Sequence, residues 1–439
     1  MYNARLMGAA TTPRRGAGDL LAIGFGTTVA MWSLGYLARL PVVLAPAPFV
    51  LVLLLAALAL GGVVAGRFGP RGIVGGLYAG AITGLLNLLV LGSFLSHAER
   101  PNALVTDAAL WVPGAIAASA LVCALGAFAG SRRRRPVDDP ADWTGAFAWV
   151  AVGATFLLLV AGGLVTSNQA GLAVVDWPNS FGYNMFLYPI SRMTGGIYYE
   201  HAHRLLGSLV GLTTVALAVH LALAEPRAWV RRMAYAAVPL VIVQGILGGL
   251  RVTGKPTLST DPAVTEPNIY LAVVHGVSAQ IFFALQVAIA VACSRTWRAG
   301  GAKVASARAP GDRALGTLAI AALVVQITLG AVQRHLGLGL MIHITLAMFV
   351  AGLTIAAGAR AWGLYPDQPP LKRAGLAVIH ATLAQFLLGF AAWLVRGAWE
   401  RGAIGPEWKV AVTTLHQGTG AILLASAVAL RLWLSRVLR

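Results

Sequence analysis

VVQITLGAVQRHLGLGLMIHITLAMFV, residues 324–350, holds two apolar segments joined by a short glycine-containing link. Gln326, Leu329 and Gly330 sit on the first segment, and His343 opens the second. The Q-x-x-L-G pattern recurs at Gln244-Leu247-Gly248 and Gln385-Leu388-Gly389, and each copy is followed by an apolar segment with a histidine near its start, His275 and His416. A fourth, weaker copy keeps the glycine in Ala161-Gly162 but not the glutamine, and His203 follows it. His203 and His343 are 140 residues apart and His275 and His416 are 141 apart, so the chain carries two tandem copies of a four-segment unit.

The rest of the sequence says what solvent these segments meet. Of 439 residues, 58% are hydrophobic and only 11% charged, which is too apolar for a chain folding in water. A bilayer core is crossed by about 20 helical residues. Twelve segments satisfy this, at 18–38, 43–66, 71–95, 108–130, 145–166, 197–223, 231–251, 268–294, 313–334, 340–362, 373–396 and 410–436. The expected fold is an all-α polytopic membrane protein of about 12 transmembrane helices, the last eight forming two tandem four-helix bundles. The net charge of +18 comes from arginines clustered between apolar runs, the pattern of cytoplasmic loops, and no nucleic-acid partner is expected. Arg14/Arg15, Arg67/Arg71, Arg132 to Arg135, Arg227/Arg231/Arg232, Arg295 to Arg313, Lys372/Arg373 and the Arg431 to Arg439 tail share one side. Both termini are then cytoplasmic in a bacterial-type inner membrane, with the loops 166–196, 251–268, 335–340 and 396–409 on the outer side. Arg5, Arg14 and Arg15 precede an apolar run without a convincing cleavage site, so the first segment is expected to be a helix rather than a signal peptide.

A composition break at Ser131 to Trp143, with Arg132 to Arg135 followed by Asp138, Asp139 and Asp142, divides the chain. Residues 1–140 form a four-helix region of unassigned role, 141–300 the first copy of the unit and 301–439 the second. Gly75, Gly76, Gly80 and Gly84 predict close helix packing in the first region, and Asn87 an interhelical hydrogen bond. Cys123 and Cys293 lie inside apolar runs as small core residues.

An imidazole in hydrocarbon is costly unless it is hydrogen-bonded, lines water or binds metal. Four at one depth need a common reason. Neutral imidazole is an axial ligand of haem iron, and two helices can offer one histidine to each porphyrin face. The duplication assigns the pairs as His203 with His275 and His343 with His416. Small residues one turn further on, Gly207, Ala279, Ala347 and Gly420, leave room for a flat macrocycle. His220 and His380 fall outside this register and are expected to be packed or hydrogen-bonded; His97 and His335 belong to outer loops or helix ends. His201 points about 200° away from His203 around the helix. Glu200 shares the face of His203 one turn nearer the outer surface, where a carboxylate can act as a base or proton relay. The outer loop 166–196 is the longest, and a site is expected there.

Gly162-Gly163-Leu164, Ala170-Gly171-Leu172, Asp176-Trp177-Pro178 and Glu200-His201-Ala202-His203-Arg204 together resemble the haem A synthase family, over about residues 145–436. The resemblance implies an enzyme that oxidises the C8 methyl of haem O to a formyl group, giving haem A for cytochrome oxidase. It implies that His203 and His275 contact the substrate haem O with Glu200 beside the reacting methyl. It also implies that His343 and His416 are the axial ligands of a haem b. Arg204 would pair with a propionate. Haem O is then substrate, a quinol the candidate electron donor, and haem O synthase and cytochrome oxidase assembly factors candidate partners. The chain departs from the family at Val165-Thr166-Ser167, where many members carry an arginine, and it lacks the cysteine pair that some members place in the first outer loop, so no thiol-dependent step is expected. A b-type cytochrome that only moves electrons uses the same bis-histidine helices. A transporter is disfavoured because the repeats are parallel and no broken helix carries paired charges. A prenyltransferase would need aspartate-rich motifs that are missing.

Overall fold

The computed structural model describes residues 16–132, 141–257, 259, 261 and 264–439. Arg5, Arg14/Arg15, Arg133 to Arg135, Asp138 and Asp139, and with them the expected boundary near residue 140, lie outside the described residues. Twelve helices are long and apolar enough to cross a membrane. They are α1 (Gly18–Ala38), α2 (Ala47–Phe68), α3 (Gly72–Leu95), α4 (Ala108–Ser131), α5 (Trp143–Ser167), α6 (Gly195–Ala224), α7 (Ala228–Thr253), α8 (Ile269–Cys293), α10 (Ala309–Leu336), α11 (Leu340–Gly363), α12 (Pro369–Glu400) and α13 (Pro406–Val437). A short helix, α9 (Arg295–Ala299), follows α8. The largest departures from the expected spans are at helix starts. α2 begins at Ala47 rather than 43, after a turn in which Leu44 has φ 43°. α12 and α13 begin about one turn earlier than expected, each with proline in its first turn, where a missing N–H costs nothing.

Helices α5 to α8 and α10 to α13 form two four-helix units, each made of two antiparallel hairpins. The units meet through their first and last helices: α5 and α8 pack on α13, and α10 packs on α8. Burial follows this arrangement, since the apolar window of α8 is 67% buried while those of α11 and α12 are 17% and 11%. A fully apolar outer surface is what lipid accepts and water does not. The hairpin α10–α11 turns within residues 337–339, where Gly337 and Gly339 take φ of 71° and 80°, values that favour glycine.

α2, α3 and α4 interlock through small residues. A Cβ at Gly62 or Gly66 would collide with the α4 main chain at Cys123 or Ala127, and one at Gly126 or Gly130 with the α2 main chain at Ala59 or Val63. On α3, Gly76, Gly80 and Gly84 meet α4 in the same way, and Cys123 between them is fully buried. Where lipid is as apolar as leucine, such backbone approach drives helix association. Gly75 stands apart from the seam, with Arg71 of its own element as neighbour. Asn87 accepts a hydrogen bond from the Trp32 indole at 2.9 Å, joining α1 to α3 as expected.

Replacing Gly80 by leucine should force α3 from α4, since a Cβ alone would lie 2.6 Å from the Cβ of Cys123. Alkylation of Cys123 by a membrane-permeant maleimide should rise from undetectable to near-complete; unchanged protection would refute the seam.

Candidate functional site

In each hairpin of the two units the histidine of the second helix lies on the glycine of the first. A Cβ at Gly162, Gly330 or Gly389 would stand 3.0 Å from Cε1 of His203, His343 or His416, and one at Gly248 3.4 Å from Cε1 of His275. The reason for glycine in Q-x-x-L-G is therefore the imidazole edge, which occupies the place of a side chain. The main-chain carbonyl one turn before each glycine, at Leu158, Gln244, Gln326 and Gln385, faces the same ring. Even so, Nδ1 of His203, His275 and His416 is buried without a hydrogen bond of normal geometry. Gln326 bridges ring and main chain, with its amide nitrogen 3.0 Å from Nδ1 of His343 and donating to the His343 carbonyl at 2.9 Å. Gln385 comes to 3.4 Å from Nε2 of His416. Gln244 donates instead to Ser278 at 2.6 Å, one turn after His275.

The structure brings His203 and His275 together, with ring centroids 6.4 Å apart and planes at 89°. Two opposed imidazoles on one metal would be separated by two bonds of about 2 Å plus the ring radii, roughly 6 Å between centroids. The residues present fit such a group. Among the described residues no three His, Cys, Asp or Glu side chains converge on a point. A bare ion would find at most two ligands here, whereas iron held by four macrocycle nitrogens needs only two more. On α6, positions 207 and 211 continue the face of His203, and no other atom lies within 4 Å of where a Cβ at Gly207 or Gly211 would be. Gly420 differs, since the Gln385 amide lies 3.2 Å from its Cβ position.

The first unit alone carries a folded outer segment, residues 168–194. Asp176 accepts from the main-chain nitrogens of Phe181 and Gly182 at 2.6 and 2.8 Å, folding the segment back, and Trp177 lies against Gly249 of α7. Arg204 binds the underside. Its guanidinium donates to the carbonyls of Val174, Asp176 and Asn179 at 2.7–3.0 Å and to Glu200 at 2.9 Å. Four of the five donors of an arginine are thus used within the chain. In the protein alone a carbonyl-lined turn holds the fork. Glu200 is buried, and its other oxygen accepts from the Val174 nitrogen at 2.9 Å. Its hydrogen bonds go to the segment and to Arg204 rather than to His203. His201 points away from His203, as its spacing implied, into Ser180 Oγ at 3.0 Å and the ring of Tyr188.

Arg251 was not legible as a site residue. It lies in the last turn of α7 and donates to the Gly171 carbonyl of the outer segment. The signal in the sequence was a misfit, an arginine on the side that the other basic clusters avoid. Arg334 is a second misfit. It donates to Ser167 Oγ at 3.0 Å, and Ser167 in turn meets Thr413 and Thr414 of α13, each at 3.0 Å. A guanidinium thus reaches Ser167 from α10, where the resemblance led one to expect an arginine in sequence. The remaining histidines have ordinary partners: Thr144 for His220 at 3.0 Å, the Leu376 carbonyl for His380 at 2.8 Å and the Glu99 nitrogen for His97 at 3.3 Å. His335 closes the last turn of α10.

Fold and site together define a multi-pass membrane protein with paired intramembrane histidines. Residues 183–343 match the family model COX15-CtaA, described as cytochrome oxidase assembly protein, and over that stretch the chain is similar to that family. The matched stretch contains Glu200, His203, Arg204, His275 and His343 and ends before His416. No curated protein matches the chain.

In a chain that binds haem as proposed below, Gly330→Leu should abolish the absorbance of a haem held at His343 as fully as His343→Ala. Gly352→Leu on the same hairpin, where nothing lies within 4 Å, should leave it intact. Retention of the spectrum in Gly330→Leu would break the link between glycine and ligand.

Proposed function

We propose that the chain is a haem A synthase, an oxidoreductase that converts the C8 methyl of haem O to a formyl group in support of cytochrome oxidase assembly. The single observation that carries this reading is an asymmetry. Both units have the histidine-on-glycine cradle, but only the first has a folded outer segment with a buried carboxylate and two arginines over its histidine pair. A protein that merely conducted electrons would have no use for that difference.

In this reading His203 and His275 would hold substrate haem O, and His343 and His416 would hold haem b. Bound iron supplies the redox chemistry; the chain supplies position, exclusion of water and proton handling. Glu200 is the acid–base group at the outer end of the first unit, held in place by Arg204 and the Val174 nitrogen. Arg204 or Arg251 would meet a haem propionate, since a guanidinium matches a carboxylate, and Arg251 already reaches the outer segment at the Gly171 carbonyl. His275 and His416 lie on α8 and α13, which pack directly on each other, and this contact favours electron passage between the units. The four-electron oxidation of methyl to formyl draws on an oxidant outside the chain; with dioxygen in that place, two O2 and two quinols are consumed and three waters released, and haem O synthase and oxidase assembly factors are the proposed neighbours. The histidine-bearing end faces outward from a bacterial-type inner membrane, with the arginine-rich end and both termini cytoplasmic.

Membranes co-expressing a haem O synthase should accumulate haem A with the wild-type chain. Glu200→Gln should keep the spectrum of the His343/His416 haem and lower haem A formation about a hundredfold or more. Unchanged haem O with wild-type protein that binds haem normally would select the b-type cytochrome instead.

A further inference from the structure

The four helices ahead of the two units find their use at the outer segment. The α3–α4 connection, residues 96–107, folds as a small turn closed by a bridge between Ser96 and Leu104 and by the His97 nitrogen donating to the Ala103 carbonyl at 2.8 Å. It presents two acceptors to segment 168–194. The Ala98 carbonyl receives the Tyr183 hydroxyl at 2.9 Å, and Asn102 Oδ1 receives the main-chain nitrogen of Asn184 at 2.6 Å. Asn102 has φ 64°, a conformation that asparagine and aspartate tolerate better than other side chains. One turn inward, Gly92 of α3 meets the Phe186 carbonyl so closely that a Cβ would collide with it. Beside these, α1 touches the first turn of α6, where the Tyr198 hydroxyl donates to the Tyr36 carbonyl at 2.8 Å and the two rings stack at 5.7 Å.

These contacts lead inward. Tyr183 packs edge-on against Tyr188 at 5.6 Å, and Tyr188 lies 4.9 Å from the ring of His201, which sits between Glu200 and His203 in the sequence of α6. From beneath, Arg204 and Glu200 hold the same segment at Val174, Asp176 and Asn179. The segment is therefore gripped on two sides, by α6 from within and by the N-terminal helices from outside. Asp176 holds only its own turn, and residues 168–194 contain no long helix of their own.

We infer that the N-terminal four-helix region is a positioning element for the first-unit site, with Asn102 and Gly92 clamping segment 168–194 over Glu200 and His203. Its contribution to function runs through the loop and requires no ligand of its own. The inference rests on the proposed haem O site for its functional half, while the clamp itself can be read without any haem.

The test uses the full-length chain in detergent. Asn102→Ala removes the acceptor, Asn102→Asp keeps it, and Gly92→Ala presses on Phe186 while alanine preserves the α3 helix. Hydrogen exchange of residues 176–188 is followed by mass spectrometry, and haem O binding by absorbance titration. Asn102→Ala and Gly92→Ala should speed exchange of this segment roughly five- to tenfold, the size of one net hydrogen bond. Both should weaken haem O binding by a similar factor, leaving the spectrum of the His343/His416 haem unchanged. Asn102→Asp should restore both quantities. Wild-type exchange in both Asn102→Ala and Gly92→Ala would overturn the clamp, and faster exchange with unchanged haem O affinity would overturn its positioning role. Should the wild-type chain bind no haem O, the proposed function fails while the exchange result still decides the clamp.

Discussion

His203, His275, His343 and His416 each rest the Cε1 edge on a glycine of the preceding helix, one such contact in each of the four hairpins. Only a residue without a Cβ lets the ring lie flat in the helix interface, and only a ring so held keeps its position through a fluctuating bundle. The contact fixes the register of each hairpin, because sliding one helix by a residue would drive a side chain into the ring. The same contact recurs at Gly162, Gly248, Gly330 and Gly389.

The two glycines of Gly162-Gly163 divide the work between the units. Gly162 receives His203 inside the first unit, while a Cβ at Gly163 would meet Thr414 and Gln417 of α13, within the second. The same turn of α5 thus serves the first-unit site and the seam between units, and Ser167 continues that seam outward through Arg334, Thr413 and Thr414. Ser167, Arg334, Thr413 and Thr414 are paired there, as a low-dielectric setting demands. The halves are consequently coupled through α5, α8 and α13, the helices with the most buried faces of the eight apart from α6.

Duplication made the units alike, and the outer segment made them different. The second unit turns from α10 to α11 within three residues, 337–339, so nothing folds over His343. The first unit spends 27 residues, 168–194, on the same connection, and that length must be ordered from outside itself. Arg204 and Glu200 supply one hold, and the α3–α4 turn supplies the other.

Much of this was legible in the residues. Span number, span position and the equivalence of His203, His275, His343 and His416 follow from apolar run length and from a repeat of 140 residues, because helix length in a bilayer and the copying of a unit leave periodic traces. Asn87 as an interhelical partner and His220 and His380 as bonded residues were equally readable, since an isolated polar group in hydrocarbon needs one neighbour. The glycines at 162, 248, 330 and 389 were visible as a pattern, but their partner was not, since the residue a glycine accommodates lies on another helix. The internal partners of Arg204 were hidden for a related reason: a guanidinium goes to whichever acceptors the fold presents, and the carbonyls of Val174, Asp176 and Asn179 converge only after segment 168–194 has folded. Arg251 on Gly171 and Asn102 on Asn184, 82 residues away, are contacts between distant parts of the chain. Local periodicity determined the helices and the depth of the histidines; which side chains meet across them was decided by tertiary packing, where hydrogen-bond partners are chosen by distance in space and not by spacing in sequence.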